Sequence, residues 1–187
     1  MKKVIVTLCF LGIFGYANAN TVRVLAGFPY MATVEYERSL DLSLLGSLSA
    51  YVNYGASDVT FKNFQTKLNG VGAGVRYRIP FLFTVGVGYA GFNRAYSYEA
   101  TVAGGGVSVG DTVSVDAKSG GFLVSLSKYL TIGPVSAGGI VYLLNATPNS
   151  VKTRVDSQSV TVSQRDLKGA ATITWIPGIA VGVGYSF

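Results

Sequence analysis

The chain has 187 residues, of which 49% are apolar and only 13% are charged, and its formal net charge is +6. About a quarter of the residues of a soluble domain are usually charged, so this composition is unusual for a soluble protein. The surplus of Lys and Arg is modest and scattered, which argues against nucleic-acid binding and favours contact with anionic lipid head groups.

The beginning of the chain has the pattern of a secretory signal peptide. Residues 1–3 are basic, residues 4–16 form an apolar run, and residues 17–19 give the small-x-small pattern of a cleavage site. The run is shorter than the roughly 20 residues that a transmembrane helix needs. We therefore expect export and cleavage before Asn20, which would remove Cys9, the only cysteine in the sequence.

Residues 20–187 are predicted to form one domain built from short segments that alternate large and small residues. The longest alternation covers 173–187, and shorter ones cover 42–54, 71–79 and 81–89. A period of two residues indicates β-strands. In chain order the predicted strands are 21–28, 30–38, 41–57, 66–79, 81–102, 113–130, 135–152 and 167–187.

The two faces of these strands differ in size rather than in charge. In the last strand, Gly178, Ala180, Gly182 and Gly184 occupy one face and large apolar residues the other. A half-exposed sheet of a soluble protein has a polar, solvated face, whereas small residues suit the interior of a narrow barrel with its large residues in lipid. The sequence thus predicts an all-β, antiparallel up-and-down transmembrane β-barrel. Aromatic residues recur at segment ends, where membrane interfaces are expected: Tyr36, Tyr54, Tyr77, Phe81, Tyr89, Tyr129, Tyr185 and Phe187.

The predicted connections alternate in length along the chain. Tight links are predicted at 38–41, 78–80 and 131–134, and longer polar stretches at 58–66, 103–112 and 148–166. Short turns on one side and long loops on the other are typical of outer-membrane barrels, in which the short side is periplasmic. The Gly-rich stretch AGGGVSVGDT matches no phosphate-binding motif and is predicted to be a flexible loop.

These features together resemble the small outer-membrane barrels of the outer-membrane protein A and X type. The resemblance rests on the signal pattern, the YRIP turn at 77–80, the VGVGY strands at 85–89 and 181–185, and the final TWIPGIAVGVGYSF. It implies eight strands, both ends of the mature chain in the periplasm, and a location in the bacterial outer membrane. It also implies contact with outer-membrane lipids and lipopolysaccharide. Tyr185 and Phe187 resemble the C-terminal signature that the outer-membrane assembly machinery reads.

A second division of the chain into strands is open. It makes 21–38 a single strand and places a turn at Pro177-Gly178, so that the C-terminus lies on the side of the long loops. That arrangement goes against the family pattern, and the division into the eight strands given above is preferred.

No catalytic, cofactor-binding or metal site is expected. The outer-membrane lipases, lipid A acyl-modifying enzymes and omptin-type proteases use a catalytic His, and this chain has none. Ser127 and Lys128 are adjacent and therefore point to opposite faces of a strand. Asp111 and Asp116 are interpreted as solvated charges rather than metal ligands.

One constellation of charges is predicted to face the lumen. Alternation turns Glu35 and Glu37 inward on the second strand, and Arg76 and Arg78 inward at a similar depth two strands further on. Unpaired charges are unfavourable in a narrow interior of low dielectric, so an ion-pair network across the lumen is expected. The network is either a packed plug or a gate whose pair exchange opens a small pore.

The sequence favours a non-enzymatic integral outer-membrane protein with a structural or surface-interaction role through its longer extracellular loops. The first alternative is a narrow channel for ions or small solutes, gated by the Glu/Arg pairs. The second alternative is a soluble periplasmic β-barrel that carries lipid.

Overall fold

The computed structural model describes residues 19–62, 64–100, 109–145, 147–155, 158–161 and 175–187. The predicted signal peptide up to residue 18 and residues 103–108 of the predicted Gly-rich loop lie outside the described residues. The described strands are β1 (Ala19–Phe28), β2 (Ala32–Asp41), β3 (Ser47–Phe61), β4 (Phe64–Arg78), β5 (Thr84–Glu99), β6 (Thr112–Ile132), β7 (Val135–Asn145), β8 (Thr147–Val155), β9 (Gln158–Thr161) and β10 (Trp175–Ser186). A short 3₁₀ turn, Ser43–Leu45, lies between β2 and β3.

The strands form one closed antiparallel barrel. The order around it is β5-β4-β3-β2-β1-β10-β7-β6, and pairing of β5 with β6 closes the ring. β7 and β8 lie one after the other along the long strand β6, pairing with its residues 123–132 and 113–120, and β9 pairs with β8 beyond the ring. The predicted all-β, eight-stranded antiparallel barrel is confirmed.

Of the two divisions of the chain into strands, the preferred one is confirmed where they differ, although the predicted strand 135–152 is divided into β7 and β8 and residues 167–174 of the predicted last strand lie outside the described residues. β1 and β2 are separate strands. Only residues 29–31 join them, which is a short connection for this end of the barrel. Pro177 and Gly178 lie inside β10, where they pair with Leu143 and Tyr142 of β7, so the alternative turn at this position is wrong.

Two predicted connections are wrong, and a third, the polar stretch 148–166, is wrong in its described part, where β8 pairs with β6 and β9 pairs with β8. The polar stretch 58–66 is not a long loop, because β3 and β4 continue to pair from Asp58 opposite Lys67 as far as Phe61 opposite Phe64. The predicted link at 38–41 belongs to β2, and the chain turns at 42–46 instead. In both places the backbone keeps its ladder of hydrogen bonds although the side chains are polar.

The two ends of the barrel differ. At one end, called here the short-turn end, lie the links 42–46, 79–83 and 133–134. Gly46 and Gly133 have positive φ angles in two of these links, a conformation that favours glycine. At the other end, called the extended end, β3 to β6 and the β8–β9 hairpin continue furthest.

Large apolar side chains cover the outside of the barrel. Val24, Val71, Phe122 and Val181 are each more than half exposed, with Phe122 at 71%. Their inward neighbours are small or buried, as Gly178 and Ala180 are in β10. A continuous exposed apolar surface of this kind marks contact with another apolar phase rather than with water. Among the described residues, no helix is long and apolar enough to cross a membrane.

Candidate functional site

Four charged side chains meet inside the barrel near the short-turn end. They are Arg23 on β1, Glu35 and Glu37 on β2, and Arg76 on β4, and we call them the lumen ion cluster. Their exposed fractions are 3%, 1%, 6% and 2%, respectively. Two cations and two carboxylates balance, so the cluster carries no net charge.

Each arginine bridges both carboxylates. Arg76 donates from Nη1 and Nη2 to the two oxygens of Glu35, both at 2.6 Å, and from Nη1 to Glu37 Oε2 at 2.9 Å. Arg23 Nη1 donates to Glu35 Oε1 at 3.1 Å and to Glu37 Oε2 at 2.5 Å. Short charge-assisted bonds in paired geometry are the strongest hydrogen bonds in proteins. The cluster therefore locks β1, β2 and β4 together across the lumen.

Strand register and glycine positions make this arrangement possible. Arg23 lies directly opposite Glu35 in the β1–β2 ladder, whereas Arg76 reaches in from beyond β3. A Cβ at Gly86 would lie 2.9 Å from Arg76 Cγ, and one at Gly184 would lie 2.8 Å from Arg23 Cγ. The small inner residues thus leave the space that the two arginine stems occupy.

Two tyrosine rings cover the guanidinium groups. Arg76 Cζ lies 3.9 Å from the centroid of the Tyr51 ring, and Arg23 Cζ lies 4.6 Å from the centroid of the Tyr129 ring. Stacking of this kind stabilises a desolvated cation. The wall around the cluster is polar, because Ser49, Ser125, Ser127 and Ser136 are buried there.

An apolar layer fills the lumen on the side of the extended end. Leu25, Ile140 and Ala180 form one packed cluster, and Leu68, Ala90, Phe92 and Leu144 form the other. Tyr30, from the β1–β2 link, packs against the second cluster. We call this layer the apolar plug.

A small cavity separates the apolar plug from the lumen ion cluster. Its volume is about 40 Å³, and Glu35, Tyr51 and Arg76 contribute to its wall on one side and Leu25 and Tyr30 on the other. A space of this size holds only a few water molecules. Between the lumen ion cluster and the apolar plug, the described side chains therefore leave little free space.

Solved structures share this architecture. A major outer membrane protein from Thermus thermophilus matches with a TM-score of 0.60 and 14% identity over 90% of this chain and 99% of that one. The chain has the fold of the small outer-membrane β-barrels. CarO of Acinetobacter baumannii matches with a TM-score of 0.56 and 12% identity over 89% of this chain and 97% of that one. The CarO2 structure from the same organism matches with a TM-score of 0.55 and 11% identity, over 90% and 98%.

At these identities the likeness concerns the fold of an outer-membrane barrel. No protein-family model matches the sequence, and no curated protein matches it. The sequence indicated a resemblance to the small outer-membrane barrels, and the fold confirms it. The matched regions cover nearly all of both chains.

The barrel brings together three of the four charged residues singled out in the sequence. Glu35, Glu37 and Arg76 are in the lumen ion cluster, whereas Arg78 is exposed at the last position of β4. Arg78 lies at the rim of the barrel, next to the link 79–83. Arg23 was not predicted to belong to this cluster, although its position between Val22 and Val24 in the first strand indicates that it points inward.

Tyr129 was predicted to lie at a membrane interface, and this prediction is wrong. It packs inside the barrel against the apolar plug and over Arg23, because its neighbours Lys128 and Leu130 take the outward positions of β6. Alternation sets this direction, and a position close to a strand end does not change it.

The predicted assembly residues lie on the outer surface at the short-turn end of the barrel. Tyr185 and Phe187 are 55% and 67% exposed. The backbone of Phe187 exchanges hydrogen bonds of 2.9 and 3.0 Å with Asn20. Tyr36 lies at the same end and donates to Asn20 Oδ1 at 2.9 Å.

The charged groups of the lumen ion cluster are arginines and glutamates that form ion pairs with each other. Both carboxylates accept hydrogen bonds from arginine, so their oxygens are engaged in ion pairs. Among the described residues there is no group of three or more His, Cys, Asp or Glu side chains that could hold a metal ion. The site is suited to holding the barrel closed or to exchanging ion pairs.

Proposed function

We propose that this chain is a non-enzymatic integral protein of a bacterial outer membrane with a structural or surface-interaction role. The observation that carries the proposal is the filled lumen: the lumen ion cluster and the apolar plug leave a cavity of about 40 Å³ between them. A barrel closed in this way acts through its surfaces and its extracellular loops rather than by passing solutes.

The orientation follows from the ends of the barrel. The short-turn end faces the periplasm and the extended end faces the outside, as is general for bacterial outer-membrane barrels. The signal peptide directs export, and the assembly machinery recognises the final strand through Tyr185 and Phe187. Exposed aromatic residues at the short-turn end, including Tyr36 and Tyr77, anchor the barrel at the periplasmic interface.

Gel migration tests the membrane assignment. A folded barrel in cold detergent is expected to migrate differently before and after boiling, and the protein is expected in the detergent-soluble outer-membrane fraction. Extraction into a salt wash without detergent would contradict the assignment and favour a soluble periplasmic lipid carrier.

A narrow channel is the second candidate function, and the polar half of the lumen favours it. Side-chain atoms of Arg23, Arg76, Ser125, Tyr129 and Ser136 are buried there without a partner among the described residues. Such donors and acceptors can stabilise a water-filled path. If the ion pairs exchanged partners, the path could extend past the cluster.

Planar-bilayer recording separates the two functions. The closed barrel is expected to give no reproducible conductance steps. Steps that appear for the native protein and vanish with Glu35→Ala would overturn the closed-plug proposal and support the gate. Asp58→Ala is the matched control, because its carboxylate lies on the exterior, paired with Lys67 at 3.2 Å, and its removal leaves the lumen unchanged.

A further inference from the structure

A group of cations lies on the outer face of the barrel near the extended end. Lys67 on β4, Lys118 on β6, and Lys152 and Arg154 on β8 are all exposed, and we call them the basic shelf. They border an open depression of about 360 Å³ to which Asn69 and Asn93 also contribute.

Strand register brings these cations close together. Lys67, Ala95, Asp116 and Lys152 form one row across four neighbouring strands. The row on one side of it contains Lys118, and the row on the other contains Arg154. Diagonal neighbours on adjacent strands are about 7–8 Å apart, so one anionic group can reach both Lys118 and Lys152.

The shelf keeps a positive charge after its acidic neighbours are counted. Lys67 is paired with Asp58 at 3.2 Å, and Asp116 lies within the shelf. The four cations of the shelf and these two carboxylates leave a net charge of +2, and Arg94, which also lines the depression, adds a further positive charge. Asn93 donates to Asn69 at 3.2 Å, so amide groups line the same depression.

An apolar groove runs along the outer face directly below the shelf. It has a volume of about 730 Å³. Tyr54, Val71 and Gly91 line its part next to the shelf, and Tyr36, Ala73 and Tyr89 line its part nearer the short-turn end. Val71 and Gly91 pair with each other, one row below Asn69 and Asn93. A Cβ at Gly91 would meet nothing within 4 Å, so the groove is open where it reaches the shelf.

We propose that the basic shelf and this groove together bind a phosphorylated glycolipid of the outer leaflet, the lipid A part of lipopolysaccharide. Lys118, Lys152 and Arg154 hold a phosphate of its head group, and an acyl chain lies in the groove beneath. The inference rests on the proposed function, because it needs the extended end at the outer leaflet. A positive patch next to an apolar groove matches a ligand that has an anionic group joined to a hydrocarbon chain.

Native mass spectrometry of the purified mature protein in detergent tests the proposal. The probes are diphosphorylated lipid A, its dephosphorylated form, phosphatidylglycerol and inorganic phosphate. Diphosphorylated lipid A is expected to bind at least about tenfold more tightly than the other three. The triple variant Lys118→Gln, Lys152→Gln, Arg154→Gln is expected to lose at least about tenfold in affinity for it.

The chain offers a matched control for the charge. Lys128→Gln removes an exposed lysine from the outer face of the same strand as Lys118, but at the short-turn end. It is expected to leave lipid A binding unchanged, whereas Lys118→Gln alone weakens it. Gly91→Leu tests the groove, because it fills the open notch and is expected to weaken binding of lipid A.

Each alternative result overturns the proposal. Equal binding of the dephosphorylated lipid contradicts the phosphate site, and equal losses for Lys118→Gln and Lys128→Gln show that only net charge matters. Binding of inorganic phosphate as strong as that of lipid A contradicts the role of the groove. The boiling shift of each variant reports insertion separately, so that a normal shift without lipid selectivity refutes this inference and leaves the proposed function standing.

Discussion

Glu35 is the most enclosed side chain of the lumen ion cluster, with 1% of its surface exposed. Its carboxylate accepts two hydrogen bonds of 2.6 Å from Arg76 and one of 3.1 Å from Arg23. A buried charge is tolerated only where opposite charges satisfy it at short range. Removing this carboxylate leaves two buried guanidinium groups with Glu37 as their remaining carboxylate partner in the cluster.

We expect Glu35→Ala to lower the free energy of unfolding by about 3–5 kcal/mol, the usual loss when one partner of a buried ion pair is removed. Urea unfolding of the barrel in lipid vesicles measures it. Asp58→Ala serves as control, since its carboxylate is 54% exposed and its pair with Lys67 lies at the surface. The control is expected to change stability by no more than about 1 kcal/mol. Equal losses in the two variants would show that the cluster does not stabilise the barrel.

Alternation predicts the direction of a side chain but not its depth. Glu35 and Arg76 could be assigned to the lumen from the sequence because a strand turns every second residue to the same side. Arg78 has the same parity as Arg76 and is nevertheless exposed, because it lies at the rim. The depth of a side chain in the lumen depends on the register between neighbouring strands. The pairing of strands in the folded barrel sets this register, and the sequence of a single strand does not reveal it.

At the scale of elements, the hairpin of β3 and β4 shows where composition misleads. Its tip is polar and suggested a loop, yet the strands pair to Phe61 opposite Phe64. The tip is supported by cross-strand contacts, among them the Asp58–Lys67 pair at 3.2 Å and the stacked rings of Phe64 and Tyr96 with centroids 6.2 Å apart. Such contacts between strands stabilise a sheet without a buried face.

The final strand gives a prediction about assembly. Phe187 follows β10, its ring is 67% exposed, and its backbone bonds to Asn20 would survive a change of side chain. We expect Phe187→Ala to reduce the yield of inserted barrel in cells several-fold while changing the urea midpoint of inserted protein little. The heat-shifted band in the outer-membrane fraction measures the yield.

Ile132→Ala is the control for this change. Ile132 is 85% exposed and lies at the same end of the barrel, on β6. It removes a similar amount of exposed apolar surface but leaves the final strand intact, so a normal yield is expected. If both variants insert equally well, Phe187 is not part of an assembly signal.

At the scale of the whole molecule, the outside of the barrel is its most predictable property. Large apolar residues at every second position, with small residues between them, indicated that the large side chains face lipid. Val24, Val71 and Val181 are 53–62% exposed on three different strands of the closed ring. The contents of the lumen were less predictable, because the apolar plug combines residues from strands that are far apart in the sequence.

A charge placed in the outer band measures the position of the membrane. Val181 lies near the middle of β10 and is 61% exposed. Val181→Arg is expected to lower the free energy of unfolding in vesicles by about 2–4 kcal/mol, as for a midplane position. Ile132→Arg, at the short-turn end, is expected to lower it by about 0–1 kcal/mol. Equal effects would contradict a bilayer that surrounds the middle of the barrel.

The pairing of β1 with β10 makes the barrel a ring with a single long-range seam. The other ladders of the ring join consecutive strands, or strands separated only by β8 and β9 in the case of β7 and β10, whereas this one places Thr21 opposite Ser186. Closing the seam restrains the whole chain between these residues at once, so its entropy loss exceeds that of any hairpin in the ring. Local hairpins can therefore form early, and β1 and β10 complete the circle together.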